Sequence, residues 1–338
     1  MIVDIASHIL PPGHFQRLLD TAGSGFYLEK RIRSIPELWD LEARFRVMEL
    51  FGDLDYRQVL SVANPPIESF CMNGESAVIC RALNDELRLL VDDYPARFVS
   101  ALGYVPVDDQ EAAVEELDHL VELGLPGFEI YTHVAGRPLD HANVLPILEQ
   151  AFERGLCVFL HPARGPERSD YPSEPRSEYE LWQILGWPYD TTVAMVRLVL
   201  SGVFDRHPDA VVIAHHLGGM VPFFQSRLRH GLDQLGSRTD GDEYAHALDP
   251  EAGHPVDRLR RMHCDTAVND ASAVDCAARF FGPERMLFGS DMPFDSAGGK
   301  SYIRSALEAI DASGLAPEEK RAVLEGNARA LLGLGEPG

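Results

Sequence analysis

Histidines and one aspartate follow several short apolar segments, and side chains of these types can bind a metal ion together. They are His8 after the first segment, His161 after the fifth, His215 and His216 after the sixth, and Asp291 after the eighth. Imidazoles and carboxylates are the usual ligands of catalytic divalent metals, with a position left open for water or substrate. One histidine alone is more often a hydrogen-bonded loop residue, and Asp291 alone could cap a helix. Their recurrence after four segments indicates a divalent-metal site.

These residues can meet only if the apolar segments are parallel strands. Eight short segments of strand-like composition alternate with longer segments of helical periodicity. The predicted strands are Ile2–Ile5, Gln58–Ala63, Phe98–Val105, Gly127–Tyr131, Leu156–Leu160, Ala210–His215, Arg261–Asp265 and Met286–Gly289. The alternation predicts an α/β fold, and the count of eight favours a closed (β/α)8 TIM barrel over an open doubly wound sheet. Catalytic residues of such barrels lie at the carboxyl ends of the strands, where the histidines and Asp291 are found.

One domain accounts for the whole pattern. We expect a single TIM-barrel domain over residues 1–338, with insertions at about 11–35, 162–188 and 236–255. These segments are rich in proline, glycine and charge, so we interpret them as long βα loops that shape the pocket. No glycine-rich phosphate-binding loop follows a predicted strand, and we therefore expect no nucleotide cofactor.

The composition argues against several classes of partner. Lys and Arg number 30 against 53 Asp and Glu, which gives a net charge of −23. Such acidity disfavours nucleic acid and anionic membranes as partners, although a few converging arginines could still bind a small anion. The five cysteines form no C-x-x-C pair, which predicts reduced thiols. Because no signal-peptide pattern or membrane-spanning apolar segment is visible, we expect a cytoplasmic protein.

Six motifs distributed over nearly the whole chain carry a family resemblance. They are Trp39-Asp40 with Arg44 and Arg46, Gly136–Asp140, His161-Pro162, Ser201–Pro208, His216–Gly219 with Pro222 and Arg227, and Phe288–Phe294. This set resembles the amidohydrolase superfamily, in the branch of aminocarboxymuconate-semialdehyde decarboxylase and the related aromatic-acid decarboxylases. The resemblance implies a TIM barrel with a metal site.

In that family the first strand usually ends D-x-H-x-H, and both histidines bind a divalent metal, often zinc. Here Ala6 stands in place of the first histidine, which leaves His8, His161 and Asp291 as the matching ligands. Two imidazoles and one carboxylate still satisfy a catalytic zinc site with open positions. The resemblance thus implies one divalent metal ion per chain, zinc or alternatively manganese, and no nucleotide or organic cofactor. Asp4 is expected to be a structural carboxylate rather than a replacement ligand.

The resemblance also implies a reaction, the non-oxidative decarboxylation of an aromatic or unsaturated carboxylic acid. Asp291 would lie beside the metal and carry the proton, and His216 would act as the acid–base group. Arg44 would bind the carboxylate of a small anionic substrate, and Arg227 would reach the pocket of a neighbouring subunit in a homodimer. From the residues alone, Arg44 could equally lie on a solvated helix face and Arg227 in a surface salt bridge.

Two other functions fit the same residues. A metal-dependent hydrolase of a lactone, ester or amide would use the same fold. Such hydrolases often have a carboxylated lysine or a bridging glutamate on the fourth strand, where this chain has Glu129 and His133 but no lysine. With Ala6 in place of a ligand, the chain could also be a metal-free enzyme or a binding protein. The apolar residues of the segment Met220–Leu235 indicate a dimer interface.

Overall fold

The computed structural model describes residues 1–62, 64–71, 74–239, 244 and 253–334. Eight strands follow one another along the chain: β1 Ile2–Ile9, β2 Tyr56–Val62, β3 Phe98–Ala101, β4 Gly127–Tyr131, β5 Cys157–His161, β6 Val212–Ala214, β7 His263–Asp265 and β8 Met286–Leu287. Every predicted strand is confirmed within a few residues at its ends. Ala63, the predicted last residue of the second strand, lies outside the described residues.

The strands close into a barrel. They form two parallel sheets, one of β1–β3 and one in which β4 to β8 are neighbours in that order. Isolated parallel bridges join the sheets at both seams, between Ser7 and Met292 and between Gly103 and Phe128. At the first seam the His8 amide also donates to the Met292 carbonyl at 2.9 Å. The predicted (β/α)8 fold is therefore confirmed.

Helices connect the strands in the order that a βα barrel requires. The α-helices are Pro12–Ala22, Glu29–Arg33, Leu41–Glu49, Ser76–Asp93, Gln110–Glu122, Leu145–Glu153, Leu181–Ile184, Gly186–Leu200, Val203–Arg206, Gln225–Leu232, Pro255–Leu259, Ala271–Phe281, Lys300–Ala312, Pro317–Arg321 and Asn327–Leu331. Short 3-10 turns cover Pro36–Leu38, Gly52–Leu54, Ile67–Ser69 and Pro283–Arg285, and a π-turn covers Ala322–Gly326. A two-stranded hairpin, His133–Val134 with Arg137–Pro138, follows β4.

Aspartates begin several of these helices for a common physical reason. The carboxylates of Asp40 and Asp109 each accept hydrogen bonds from two amides of the first helical turn, and Asp270 accepts one. These bonds satisfy amides that have no partner within the helix. The same residue type thus ends the loop and begins the helix after β1, β3 and β7.

The apolar residues form two clusters, as a barrel requires. The smaller cluster combines residues of six strands or strand ends: Val3, Val59, Leu102, Phe159, Ile213 and Leu287. Side chains from so many strands can meet only inside the ring. The larger cluster lies between the strands and the helices. The interior is therefore packed, and the carboxyl ends of the strands remain available for a site.

The predicted insertions differ in structure. Residues 11–35 contain two of the helices, and residues 162–188 contain Leu181–Ile184 and the beginning of Gly186–Leu200. Most of the segment at 236–255 lies outside the described residues, and the division into a single domain stays a prediction. Across the described part of the chain, no helix combines the length and the apolarity that crossing a membrane requires.

Candidate metal and active site

Four imidazoles and one carboxylate converge at the carboxyl end of the barrel. His8 lies near the end of β1, and His161 is the last residue of β5. His215 and His216 follow β6, and Asp291 follows β8. The ring nitrogens of His8, His161 and His215 lie within 4.8 Å of one another, as do ligand atoms of His215, His216 and Asp291. The Nε2 atoms of His8 and His215 lie 3.3 and 3.6 Å from Asp291 Oδ1, and His216 Nε2 lies 3.7 Å from Oδ2. The sequence-predicted ligands are thus brought together.

Unusual backbone directs two of these side chains into the site. His216 has φ 55° and Asp291 has φ 65°, in the left-handed region that residues other than glycine rarely adopt. The Asp291 amide donates to the Ala6 carbonyl at 3.0 Å, which fixes the loop after β8 against β1. Gly218 is needed beside His216, because a Cβ there would lie 2.7 Å from the Phe281 ring. Such strain is typical of functional sites.

Asp265, at the end of β7, orients His215. Its Oδ2 is hydrogen-bonded to His215 Nδ1, and its Oδ1 accepts from the amides of His216 and Ala267 at 3.0 Å. Burial acts to lower the pKa of His215, but the Asp265 carboxylate and then Asp291 raise it to about 10, so a metal ion that binds Nε2 would displace a proton from it. A carboxylate on one imidazole nitrogen is the arrangement that prepares the other nitrogen for a metal. The sequence analysis placed His215 at a strand end but missed it as a ligand.

His8 and His161 are prepared in a similar way by neutral partners. His8 Nδ1 is hydrogen-bonded to Ser61 Oγ at 3.1 Å. His161 Nδ1 donates to the Pro162 carbonyl at 2.7 Å, so its proton is on Nδ1 and its lone pair is on Nε2. Burial lowers the pKa of both imidazoles, which favours the neutral form that binds metals.

Two buried nitrogens face one another without a hydrogen bond. The Nε2 atoms of His8 and His215 have no hydrogen-bond partner among the described residues, although Asp291 is close to both. Leaving such atoms unpaired costs about 1–3 kcal/mol each. A cation bound between the imidazoles and Asp291 would satisfy them. The donor set, three imidazoles and one carboxylate, therefore fits a divalent metal ion.

The charge states of the remaining groups follow from their surroundings. Burial acts to raise the pKa of Asp291, but its contacts with His215, His216 and His8 lower it well below the usual range. Asp291 is therefore a carboxylate that can receive a proton. Burial, and then His215, lowers the pKa of His216, so this imidazole is neutral.

Glu129, on β4, is not one of the converging ligands. Its carboxyl group is buried, and neither oxygen has a hydrogen-bond partner among the described residues. Burial raises the pKa of Glu129 well above the usual range, which favours the neutral acid. His133, in the hairpin after β4, borders a separate cavity with Tyr27 and Glu68. Neither residue provides the bridging ligand of a two-metal site.

An aromatic-walled cavity opens beside the convergent residues. It has a volume of about 370 Å³, and its wall includes Trp187, His216, Asn269, Asp291 and Tyr302. A neighbouring cavity of about 290 Å³ shares Trp187, Asp291 and Tyr302 with it. A planar molecule can therefore lie between aromatic rings with one edge at Asp291.

Arg31 supplies a cation at this second cavity. Its guanidinium borders the cavity with Phe294 and Tyr302 and donates to the Phe294 carbonyl. Burial, and then the charges of Asp291 and Asp295, raise the pKa of Tyr302, and the Arg31 charge opposes that rise. The sequence analysis missed Arg31 because it lies within a run of charged residues that has no distinguishing feature.

Arg44, by contrast, is fully buried and bonded only to protein. Its guanidinium donates to the carbonyls of His8 and Ser7 at 2.8 and 3.2 Å and to Gln58 Oε1 at 2.8 Å. It borders neither of the two cavities beside Asp291. The structure therefore places Arg44 behind the end of β1, where it holds the backbone that carries His8.

Arg227 borders neither of the two cavities beside Asp291. It is exposed on the helix Gln225–Leu232 and borders a surface groove with His230 and Arg238. The predicted contact with a neighbouring subunit's pocket stays a prediction.

Known proteins resemble this chain in sequence and in fold. The sequence profile of the family described as "Amidohydrolase" matches residues 8–334. The 2-amino-3-carboxymuconate-6-semialdehyde decarboxylase of Dictyostelium discoideum is 28% identical and covers 98% of this chain and 91% of its own length.

Two solved structures share the fold. The 5-carboxyvanillate decarboxylase of Sphingomonas paucimobilis superposes with a TM-score of 0.80 at 21% identity over 99% of both chains. A dihydroxybenzoic acid decarboxylase from Polaromonas sp. JS666, solved with bound manganese and the inhibitor 2-nitroresorcinol, has a TM-score of 0.76 at 21% identity. It covers 99% of this chain and 98% of its own.

Proposed function

The chain belongs to the amidohydrolase family, and we propose that it is a metal-dependent, non-oxidative decarboxylase of an aromatic or unsaturated carboxylic acid. The observation that carries the proposal is the convergence of three imidazoles and Asp291 beside an aromatic-walled cavity. The similar Dictyostelium enzyme, which is named a decarboxylase and spans nearly the whole chain, supports the reaction class.

One divalent metal ion would be held by His8, His161, His215 and Asp291. In the family the third imidazole usually comes from a histidine of the first strand. Here Ala6 stands at that position, and His215 would supply the third imidazole instead. When bound, the ion supplies positive charge that attracts substrate oxygens and stabilises electron density released as CO₂ departs. Zinc fits the donor set, and manganese is the ion of the similar Polaromonas structure, so both are candidates.

The chain's own residues bind the substrate and move the proton. Arg31 pairs with an anionic group of the acid, and Trp187 packs on its unsaturated system and excludes water. The bond between the ring carbon and the carboxylate breaks, CO₂ leaves, and the carbon takes up one proton. That proton comes from solvent and passes to the carbon through Asp291 and His216, whose Oδ2 and Nε2 atoms lie 3.7 Å apart, and the two groups end the cycle as carboxylate and neutral imidazole.

Turnover of a substrate panel tests the proposal. Protein reconstituted with zinc or manganese is given hydroxybenzoates and muconate-type acids without oxygen, and released CO₂ is measured together with metal content. We expect turnover of at least one acid by metal-loaded protein, and its loss in a His8→Ala variant. If the acids are inert while lactones or esters are hydrolysed, the hydrolase alternative replaces the decarboxylase. Turnover of an acid by protein without metal would instead identify a metal-free enzyme.

We also propose a homodimer. Phe223 and Phe224, whose rings contact one another, are 78% and 38% exposed, and Ile184 and Leu185, in the segment that follows β5, are 58% and 57% exposed. Large exposed apolar side chains are typical of subunit interfaces when they form a patch. Only part of the predicted apolar face of Met220–Leu235 is exposed: Phe223 and Phe224 face outward, whereas Leu232 packs within its own chain. Sedimentation should give the mass of two chains at micromolar concentration, and a monomer would contradict the dimer.

The proposed location is the cytoplasm. All five cysteines are free in the structure, and three of them are buried. Free thiols are typical of a reducing compartment. Fractionation of the native host, with the protein detected by antibody, tests the location.

A further inference from the structure

Asn269 and His216 each have a buried polar atom without a hydrogen-bond partner among the described residues, and both residues border the larger of the two cavities beside Asp291. Asn269 borders this cavity with His216 and Asp291, and its side-chain oxygen Oδ1 is buried without a hydrogen-bond partner among the described residues. Unlike the Nε2 atoms of the metal-binding histidines, this oxygen is not part of the convergent ligand set. Buried acceptors in folded proteins nearly always have a donor, so one that borders a cavity indicates a ligand group.

The backbone holds this oxygen in place. Asn269 has φ 59°, a left-handed conformation that asparagine tolerates better than most residues. Its Nδ2 donates to the carbonyl of Ser290, the residue before Asp291, at 3.4 Å. Its own amide donates to the Thr266 carbonyl at 3.3 Å. Because the amide nitrogen is already bonded to protein, the free atom is the acceptor, and it requires a donor on the ligand.

We propose that Asn269 determines substrate specificity by accepting a hydrogen bond from a hydroxyl or amino group on the unsaturated acid. This inference rests on the proposed function and assigns a specificity-determining residue within it. A site built to accept such a bond rejects analogues without the donor, since its acceptor is then left unpaired.

Binding of matched neutral ligands isolates this hydrogen bond from catalysis. Trp187 borders the same cavity, so ligand binding to metal-loaded protein can be followed by tryptophan fluorescence. Resorcinol is compared with its dimethyl ether, and aniline with N,N-dimethylaniline, because each pair keeps the ring and removes only the donor. We expect the donor of at least one pair to bind roughly 10- to 100-fold more tightly, as for one hydrogen bond to a buried acceptor.

Two substitutions of Asn269 and one control assign the preference. Asn269→Gly removes the acceptor and accepts the positive φ without strain, and it should reduce the preference to below about threefold. Asn269→Asp keeps an acceptor oxygen in the same place and should retain the preference. Gln183→Leu changes another polar residue of the same cavity wall and should leave it unchanged.

The outcomes separate this inference from the proposed function. No preference for donor ligands in the unsubstituted protein, or an unchanged preference in Asn269→Gly, would overturn the role of Asn269. If the preference follows Asn269 while no acid in the panel loses CO₂, the proposed reaction fails and the binding role stands. If Asn269→Gly decarboxylates acids with and without a donor at the same ratio of rates as the unsubstituted protein, Asn269 does not determine specificity while the reaction class stands.

Discussion

The buried polar side chains in the two halves of strand β1 differ in their hydrogen bonding. Near its start, Asp4 has both oxygens occupied: Oδ1 accepts from the amides of Ala6 and Ser290, and Oδ2 from the hydroxyls of Tyr56 and Ser290. Four residues further on, His8 keeps a buried Nε2 that has no hydrogen bond to any described residue. The hydrogen bonds of Asp4 stabilise the fold, whereas the unpaired nitrogen of His8 leaves a position for a ligand that is not part of the chain.

The same contrast divides other polar residues of the barrel. Arg44 and Asp265 are buried and bonded through most of their polar atoms to backbone and side chains. His215 and Asn269 are each bonded through one polar atom and leave another open toward the site. The saturated groups fix the geometry, and the open ones are preorganised for metal and substrate.

The largest expected effect comes from removing the negative charge of Asp291, which lies among the imidazoles of the site. Asp291→Asn should reduce decarboxylation by about 10⁴-fold or more, because both a negatively charged ligand and the proton acceptor are lost. Metal content of the purified variant separates the two causes. His216→Asn, which leaves the proposed ligands intact, should reduce the rate by about 10²–10⁴-fold. Equal and small losses in both variants would show that neither residue moves the proton.

A slightly smaller effect is expected for His215, the imidazole that directly follows β6. His215→Ala should weaken metal binding by more than about 100-fold in chelator competition, because groups that only orient a ligand already contribute about 10- to 100-fold. Asp265→Asn, which removes such an orienting group, should fall within that range. Unchanged affinity in His215→Ala would restrict the site to His8, His161 and Asp291.

Much of the architecture follows from the sequence, because strand periodicity and helix boundaries are local properties. The site is less local. His215 and His216 are adjacent, and in an extended strand their rings would point to opposite sides. The left-handed backbone at His216 instead brings the two ring centroids to within 3.6 Å, and both rings face the site. Sequence spacing cannot predict this turn, so His215 was missed as a ligand.

The arginines show the same limit. Arg31 and Arg44 both lie in helices that contain other charged residues, and nothing in the local pattern distinguishes them. Which guanidinium reaches the cavity depends on the tertiary path of residues 11–35, which brings Arg31 to the Phe294 carbonyl. The family resemblance pointed to Arg44, whereas the cavity wall contains Arg31.

The saturated half of β1 should respond in stability rather than in metal binding. Asp4→Ala leaves the hydroxyls of Tyr56 and Ser290 without their buried acceptor, so we expect unfolding free energy to fall by about 2–3 kcal/mol. Metal affinity should change by less than about threefold, because Asp4 does not contact the ligand atoms. Urea unfolding and chelator competition measure the two quantities. A loss of metal affinity as large as that of His215→Ala would remove the distinction between the two halves.

His14 is an exception to the contrast, and its effect on stability depends on pH. It is fully buried in the helix Pro12–Ala22, and neither ring nitrogen has a hydrogen-bond partner among the described residues, although it lies outside the convergent site. Burial, and then the nearby Arg17 charge, lowers the pKa of His14 to about 3. In the unfolded chain the pKa is about 6.5. The unfolded chain therefore takes up a proton that the fold resists, and stability is lost as the pH falls from 6.5 toward 3.

Replacing His14 by leucine should remove this pH dependence. At pH 7 the variant should be more stable than the unsubstituted protein, since leucine has a similar volume and removes two unpaired buried nitrogens that cost about 1–3 kcal/mol each. Below pH 6 the variant should gain on the unsubstituted protein by up to about 1.4 kcal/mol per pH unit. Urea unfolding of metal-free protein at pH 7, 6 and 5 measures the difference in stability. The protonation of the other histidines contributes equally to both proteins and therefore cancels in this difference. Parallel stability curves would mean that His14 binds a proton in the fold as readily as outside it. A buried nitrogen without a hydrogen-bond partner would then not by itself indicate a site for metal or substrate. The metal site at His8 and His215 would be inferred only from the convergence of these residues with the other ligands.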